Sequence, residues 1–278
     1  MKVLITGISG FLGSHLETAL SNEFDVVGLY HSKPASGFGI PMFSNLSEIP
    51  TDVDAVVMCH AAVSSGTHKA DSKFLFEANV ERTQEIVSAF PDAFLVYVST
   101  VGVFGNTDFV IDEASAVNPQ SEYTASKLEG ETSVRSAKQQ VILRLSSLYG
   151  QRMKENTLIP NYINQALQNG KIEVWGNGSR LQNYIFVDDV CALIRQMLIS
   201  RPVSSIPFLG VSDREYSNLE IAQKIAELTH AKIEFVNTDS SPSIRFDNAL
   251  TRKAVNWQPE TTIEQGLRAY IAWKKKQS

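Results

Sequence analysis

The feature that most restricts this chain is a short apolar strand that runs straight into a glycine-rich loop. Lys2-Val3-Leu4-Ile5-Thr6 leads into Gly7-Ile8-Ser9-Gly10-Phe11-Leu12-Gly13, and a helical pattern then continues from Gly13 to Leu20. Glycine at position 7 permits a tight turn, Gly10 lets a pyrophosphate approach the backbone, and Gly13 lets helix and strand pack closely. The helix start then offers free N–H groups and the positive end of a dipole to phosphate. Gly7, Ser9, Gly10, Phe11, Leu12 and Gly13 are therefore the expected dinucleotide cradle, and the alternative is a purely structural turn.

Beyond the loop, short β-rich runs alternate with helical patterns, which is the signature of a parallel sheet with crossover helices. Strands are expected at Lys2–Thr6, Asp25–Tyr30, Ala55–Cys59, Phe94–Ser99 and Val141–Leu145, and helices at Gly13–Leu20, Phe74–Phe90 and Tyr123–Ala137. The Pro-, Gly- and Ser-rich stretch 31–51 reads as a loop with one small strand near Phe43. After Gly150 the pattern changes: helices at Leu158–Asn169, Asp188–Ile199, Ser217–Thr229 and Thr262–Lys275, a strand at Lys171–Trp175, and a turn at Gly176–Ser179. Ser217 and Glu220 have capping-box spacing. These pieces suit a smaller lobe beside the sheet.

Hydrophobic residues make up 43% and charged residues 20% of the 278, an ordinary globular composition. A net charge of -5 argues against a nucleic-acid partner, whose phosphates favour a basic face. No window approaches ~18 uninterrupted apolar residues, so no membrane span is expected. The start, MKVLITG, lacks a secretory pattern, and Cys59 and Cys191 have no paired spacing. Together these predict a cytoplasmic protein with reduced, buried cysteines. Lys274, Lys275 and Lys276 read as a solvated helix end.

A second constellation carries chemistry. Tyr123-Thr124-Ala125-Ser126-Lys127 sets a phenol and an ammonium four residues apart on one helix face. Tyrosine ordinarily ionises near pH ~10, and a neighbouring ammonium is expected to lower that value. Ser99-Thr100 closes a β-rich run, the end of a parallel strand at which ligands bind in open α/β sheets. Thr100 could donate a hydrogen bond to the substrate oxygen that Tyr123 protonates or deprotonates. At the adenosine end, Val26-Val27-Gly28-Leu29-Tyr30 closes without an acid to hold both ribose hydroxyls. His31, Ser32 and Lys33 could instead hold a 2′-phosphate, which favours NADP over NAD; a solvated loop lysine is the alternative. Asn45 and Leu46 fall where adenine would lie, and Ala61 and Ala62 leave room for a cofactor against backbone. His60, Trp175 and Trp257 read as packing residues.

With these motifs in view, the sequence resembles an extended short-chain dehydrogenase/reductase of the sugar-nucleotide epimerase/dehydratase family. The resemblance spans nearly the whole chain. It rests on the glycine loop, His60-Ala61-Ala62, Asn79-x-x-x-Thr83, Val98-Ser99-Thr100 through Phe104-Gly105, Tyr123-x-x-x-Lys127, Arg144 through Tyr149-Gly150, and Val187-Asp188-Asp189. It implies an α/β fold: a Rossmann-type doubly wound parallel sheet with a smaller C-terminal substrate-binding lobe. Residues 1–150, rejoined by parts of 180–210, would form the NAD(P)-binding domain, and residues 151–278 mainly a discontinuous lobe. By the same resemblance Thr100, Tyr123 and Lys127 are the catalytic triad, with Tyr123 and Lys127 also touching cofactor. Asn79 would be a cofactor-side helper tying the active-site strand to its neighbour, and Val101 would line the substrate. The helices at Phe74–Phe90 and Tyr123–Ala137 would pair across a homodimer.

Two departures matter. Relatives carry an Arg-Asp pair where this chain has Gln182-Asn183, with Arg180 two places earlier. Arg180 and Arg245 are the candidate diphosphate contacts, the alternative for Arg245 being an ion pair with Asp247. Val101-Gly102 stands where family dehydratases carry an Asp-Glu pair, which disfavours elimination of water. The leading reading is an NAD(P)H-dependent reductase of a nucleotide-activated 4-keto sugar of the dTDP-4-keto-6-deoxyhexose kind. A nucleotide-sugar 4-epimerase would use the same residues. A non-catalytic dinucleotide sensor is the reading from another class, and the intact Tyr–Lys pair speaks against it.

Overall fold

The parallel sheet follows from strands that are apolar on both faces. In the computed structural model, which describes residues 1–31, 39–63 and 70–277, β1 (Lys2–Thr6) is buried almost throughout. Val3 and Ile5 point into one apolar layer and Leu4 into the other, so helices must cover both sides. The elements that follow are α1 (Phe11–Leu20), β2 (Asp25–Leu29), β3 (Met42–Phe43), β4 (Ala55–Met58), α2 (Ser72–Phe76), α3 (Arg82–Ala89) and β5 (Phe94–Thr100). Then come β6 (Val110–Ile111), α4 (Glu122–Val134), β7 (Gln140–Leu145), β8 (Ser147–Tyr149), α5 (Leu158–Asn169), β9 (Lys171–Trp175), β10 (Leu181–Phe186) and α6 (Val187–Ser200). The chain closes with β11 (Phe208–Gly210), β12 (Glu215–Ser217), α7 (Asn218–Thr229), β13 (Lys232–Val236), β14 (Arg245–Phe246), α8 (Ala249–Val255) and α9 (Ile263–Lys275).

Seven strands form one sheet in the order β11-β7-β5-β4-β1-β2-β3, every pair parallel. This is the Rossmann-type, doubly wound α/β arrangement expected. β11, from the late part of the chain, adds the edge beyond β7, while α6 lies against α1. Three smaller sheets, β12-β10-β8, β13-β9 and β14-β6, are built mostly from later segments, with β6 and β8 contributed from before Gly150. Their core gathers Tyr149, Tyr162, Ile163, Ile172, Val174, Ile225 and Leu267 from α5, α7, α9 and neighbouring strands.

Local signals explain the ends of several elements. Ser217 Oγ accepts from the Glu220 N–H at 3.0 Å, and Glu220 Oε2 accepts from the Ser217 N–H at 2.7 Å. That reciprocal pair is the expected capping box of α7. Lys274 departs from expectation, since it folds back onto Glu155 rather than standing in solvent. The expected helix 74–90 is a single rod with a π turn at Glu77–Glu81 between α2 and α3. A π turn marks a place where a side chain has displaced the regular ladder, often beside a functional site.

Candidate active site

Most of the expected cofactor residues follow strands at the carboxyl edge of the large sheet, the edge at which ligands bind in open α/β sheets. Gly7 follows β1, Ala61 and Ala62 follow β4, Thr100 ends β5, His31 follows β2, and Asn45 and Leu46 follow β3. Ser32 and Lys33 lie outside the described residues. His31 and Asn45 are exposed, and Asn45 caps a short 3₁₀ turn that begins at Leu46.

The glycine loop has the geometry its sequence requires. Gly7 sits at φ +66°, and a Cβ there would lie 2.8 Å from the His60 backbone; a Cβ on Gly13 would lie 2.7 Å from Ile8 Cα. Larger residues would force β1, β4 and α1 apart. Gly10 caps α1 with no side-chain hydrogen bond, so the first-turn N–H groups remain available to an anion. Ser9 and Gly10 are exposed, and Phe11 is half-buried.

Behind the loop, His60 is more than a packing residue. It hydrogen-bonds with Thr6 Oγ1 through Nδ1 at 2.7 Å and with Thr83 Oγ1 through Nε2 at 3.1 Å. Thr83 donates its own hydrogen to the Asn79 carbonyl at 2.9 Å. Thr83 can then only accept from His60, which places the ring proton on Nε2. Burial, helped by Lys127 and Arg82, pushes His60 down to about 3, so the ring is neutral and no proton donor near neutrality.

Asn79 sits in the π turn with no exposed surface. Its Oδ1 accepts from the Ala62 N–H at 2.9 Å, while Nδ2 donates to the Ala62 carbonyl at 3.0 Å and to Ser126 Oγ at 2.9 Å. Both amide hydrogens are spent within the protein. Expected as a cofactor contact tying the active-site strand to its neighbour, Asn79 instead ties the turn after β4 to the helix carrying Tyr123. Ser126, which sequence reasoning passed over, is the other end of that tie.

Helix α4 begins at a capping box made by Ser121 and Thr124 and buries Ser126, Lys127, Gly130, Glu131 and Val134. Lys127 is 1% exposed, and its Nζ has no hydrogen-bond partner. Glu131, one turn later, is held elsewhere: Ser99 Oγ donates to Oε1 at 2.6 Å, and Arg144 grips both oxygens at 3.0 and 2.7 Å. Burial pushes Lys127 down to about 7, against the opposing pull of Glu131 and Cys59. Tyr123 corrects the expectation drawn from its sequence: burial raises its phenol to about 12. Removal from water sets the direction of that shift.

Thr100 is poised as a donor. Its Oγ1 accepts from the Gly102 N–H at 3.1 Å, which leaves the hydroxyl hydrogen for a ligand. Val101 starts the 3₁₀ turn that follows. A Cβ at Gly102 would lie 2.8 Å from Thr124 Cγ2, so this position has no room for a side chain.

The residues considered for the diphosphate come from later in the chain. Gln182 Nε2 donates to Asn218 Oδ1 at 2.8 Å. Asn183, buried, accepts from Ser146 Oγ at 2.7 Å and from the Ser212 N–H at 2.9 Å. Both residues knit β10 to its surroundings. Arg180 Nε reaches the Pro242 carbonyl at 3.4 Å. The ion pair considered for Arg245 does not form: Asp247 accepts from the Ala249 N–H, and Arg245, exposed on β14 opposite Val110, has no ionic partner among the described residues. Trp175 is 56% exposed and is not a core residue, because it ends β9 at the lobe surface. Trp257 does pack against the core. Cys59 is half-buried and Cys191 buried, both as free thiols.

A family profile described as NAD dependent epimerase/dehydratase family matches residues 3–204. The chain belongs to that family. It is thus a nicotinamide-dependent enzyme of the extended short-chain dehydrogenase type. It is 28% identical, over 98% of its length and 97% of the relative's, to the low-salt glycan biosynthesis protein Agl12 of Haloferax volcanii. A dTDP-D-glucose 4,6-dehydratase of Mus musculus is 24% identical, covering 99% of this chain and 89% of its own. Among solved structures, MoeE5 in complex with UDP-glucose and NAD superposes with a TM-score of 0.88 at 23% identity, covering 100% of this chain and 99% of its own. That likeness speaks for the fold. Among the described residues no helix is long and apolar enough to cross a membrane, and no metal-binding cluster occurs.

Proposed function

We propose that the chain is an NAD(P)H-dependent reductase of a nucleotide-activated 4-keto sugar, of the dTDP-4-keto-6-deoxyhexose kind. One observation carries this reading: Thr100 accepts from the Gly102 N–H and keeps its hydroxyl hydrogen for a ligand, and Thr124 fills the space in which position 102 would carry an acid. Without a second acid–base pair the site is fitted to redox chemistry at a carbonyl rather than to elimination of water. This sets the chain apart from the dehydratase activity in the name of its Mus musculus relative.

The residues fit a nicotinamide dinucleotide. The loop at Gly7–Gly13 has space only for backbone against a pyrophosphate, and the buried Lys127 Nζ lacks a partner that ribose hydroxyls would supply. When bound, the reduced nicotinamide supplies hydride to the keto carbon. Tyr123 gives its proton to the keto oxygen, and Thr100 donates a hydrogen bond to the same oxygen as charge builds there. Lys127 steadies the phenolate left behind and orients the ribose. A Tyr123 phenol held protonated to about 12 is the form that reduction needs. A 4-epimerase would have to begin by taking a proton there, and it would retain its cofactor through purification.

At the adenosine end, the lack of a carboxylate after Leu29 supports NADP, although the family name carries NAD. Arg245, without an ionic partner among the described residues, and Arg180 are the proposed diphosphate contacts, and Val101 lines the sugar. Phe74 and Phe76 stand 47% and 40% exposed on α2, which packs beside α4; this supports a homodimer through that face. The free thiols accord with a cytoplasmic setting. A panel of dTDP-, GDP- and UDP-linked 4-keto sugars, with simple ketones as controls and each reduced cofactor in turn, tests the reading. Consumption of cofactor with simple ketones but with no keto sugar would overturn it.

A further inference from the structure

Lys127 reaches its place without any polar partner. Its nearest acid, Glu131, is four residues on along α4, where a salt bridge would ordinarily form. Ser99 and Arg144 have drawn that carboxylate away, filling Oε1 twice and Oε2 once. What meets the ammonium is an aromatic face: Lys127 Nζ lies 4.1 Å from the centroid of the Tyr97 ring. A cation over a π face within about 6 Å is attracted by the ring quadrupole, most strongly where water is excluded.

Tyr97 is suited to this, besides its part in the apolar core. It lies on β5, three residues before Thr100, with no exposed surface. Its hydroxyl faces Thr83 without a well-formed hydrogen bond and is pressed so closely against Gly130 of α4 that a Cβ there would overlap it. Burial drives its ionisation far up, so it neither carries charge nor exchanges a proton. The phenol is bound by packing, and only the face of its ring acts on a neighbour.

We propose that Tyr97 is the positioning residue for Lys127, its ring holding the ammonium in place by a cation–π contact instead of a salt bridge. The role rests on Lys127 serving the reaction as proposed above, but the contact exists without cofactor and can be tested without it. The titratable groups that act on Lys127 or are acted on by it are Glu131 from its own helix, Cys59 and His60 from the turn after β4, and Tyr97 from β5. Glu131 and Cys59 favour the ammonium, and burial opposes it. The ring adds to the favourable side, so weakening it must lower the pH at which Lys127 loses its proton.

The test is a carbon-13 NMR titration of the Cε signals of labelled lysine in the cofactor-free protein, with Lys127→Met assigning the signal. Tyr97→Phe keeps the ring and discards only the unpartnered hydroxyl, and should titrate as the wild type does. Tyr97→Leu should titrate about one pH unit lower. Phenylalanines bearing one, two and three fluorines in place of Tyr97 keep the shape while draining the π face. They should lower the midpoint stepwise, and they serve even if Tyr97→Leu fails to fold. An unchanged Lys127 midpoint across the fluorinated series would overturn the proposal whatever the enzyme's substrate proves to be.

Discussion

Arg144 grips Glu131 through two hydrogen bonds, Nε to Oε1 at 3.0 Å and a terminal nitrogen to Oε2 at 2.7 Å, with both side chains at most 4% exposed. The pair joins β7 to α4, and Ser99 of β5 adds a third bond. Removing one member leaves the other charged and buried. Glu131→Ala should therefore cost about 3–5 kcal/mol of stability, read from urea unfolding, and replacing both residues by apolar ones should recover most of the loss. Equal stability in Glu131→Ala and wild type would mean the pair is not closed in solution.

Gly102 and Thr124 form a second coupled pair, through lack of space. Gly102→Ala should destabilise by about 1–3 kcal/mol through overpacking. Thr124→Ser removes the offending Cγ2 and keeps the hydroxyl that caps α4. The double variant should therefore be more stable than Gly102→Ala alone, a non-additivity that denaturation midpoints would reveal. Additive effects would contradict the proposed contact.

Thr100 can be tested by shape-preserving substitution. Thr100→Val removes the donor and should lower kcat about a hundred-fold with little change in cofactor affinity, while Thr100→Ser retains most activity. Stopped-flow turnover alongside a fluorescence titration of cofactor separates the two effects.

His60 sets a pH dependence whose sign is fixed by burial. Its ordinary value is 6.5, and in the folded chain it falls to about 3. Between those values the unfolded chain binds a proton that the folded chain refuses. Stability should thus be complete above about 6.5 and fall toward pH 3, by at most about 1.4 kcal/mol per pH unit from this group. His60→Asn should flatten that slope when unfolding is followed across the same range.

The large sheet was legible because its strands are continuous apolar runs, and the periods of α1, α4 and α5 stood out between them. The shortest strands, in the large sheet and outside it, were not. β8, β11, β12 and β14 are two or three residues long and held by neighbours distant in sequence, which leaves no local period to read. The reactive residues could be named from spacing, but their electrostatics could not. Tyr123 has an ammonium four residues away, yet burial decides its ionisation. Asn79 was visible as a motif, while the π turn around it comes from hydrogen bonds to Ala62 and Ser126, far off in the chain. Gln182 and Asn183 drew notice as missing charges; the structure gives them partners in Asn218, Ser146 and Ser212.

The central claim is that Tyr123 protonates the oxygen of a nucleotide-bound keto sugar during hydride transfer. Its most direct test is a single-turnover comparison of wild type and Tyr123→Phe, following the loss of reduced-nicotinamide absorbance with a 4-keto-6-deoxyhexose nucleotide. The account predicts a rate lower by about 10²–10⁴-fold in Tyr123→Phe with cofactor affinity nearly unchanged. Equal rates in the two proteins would contradict it.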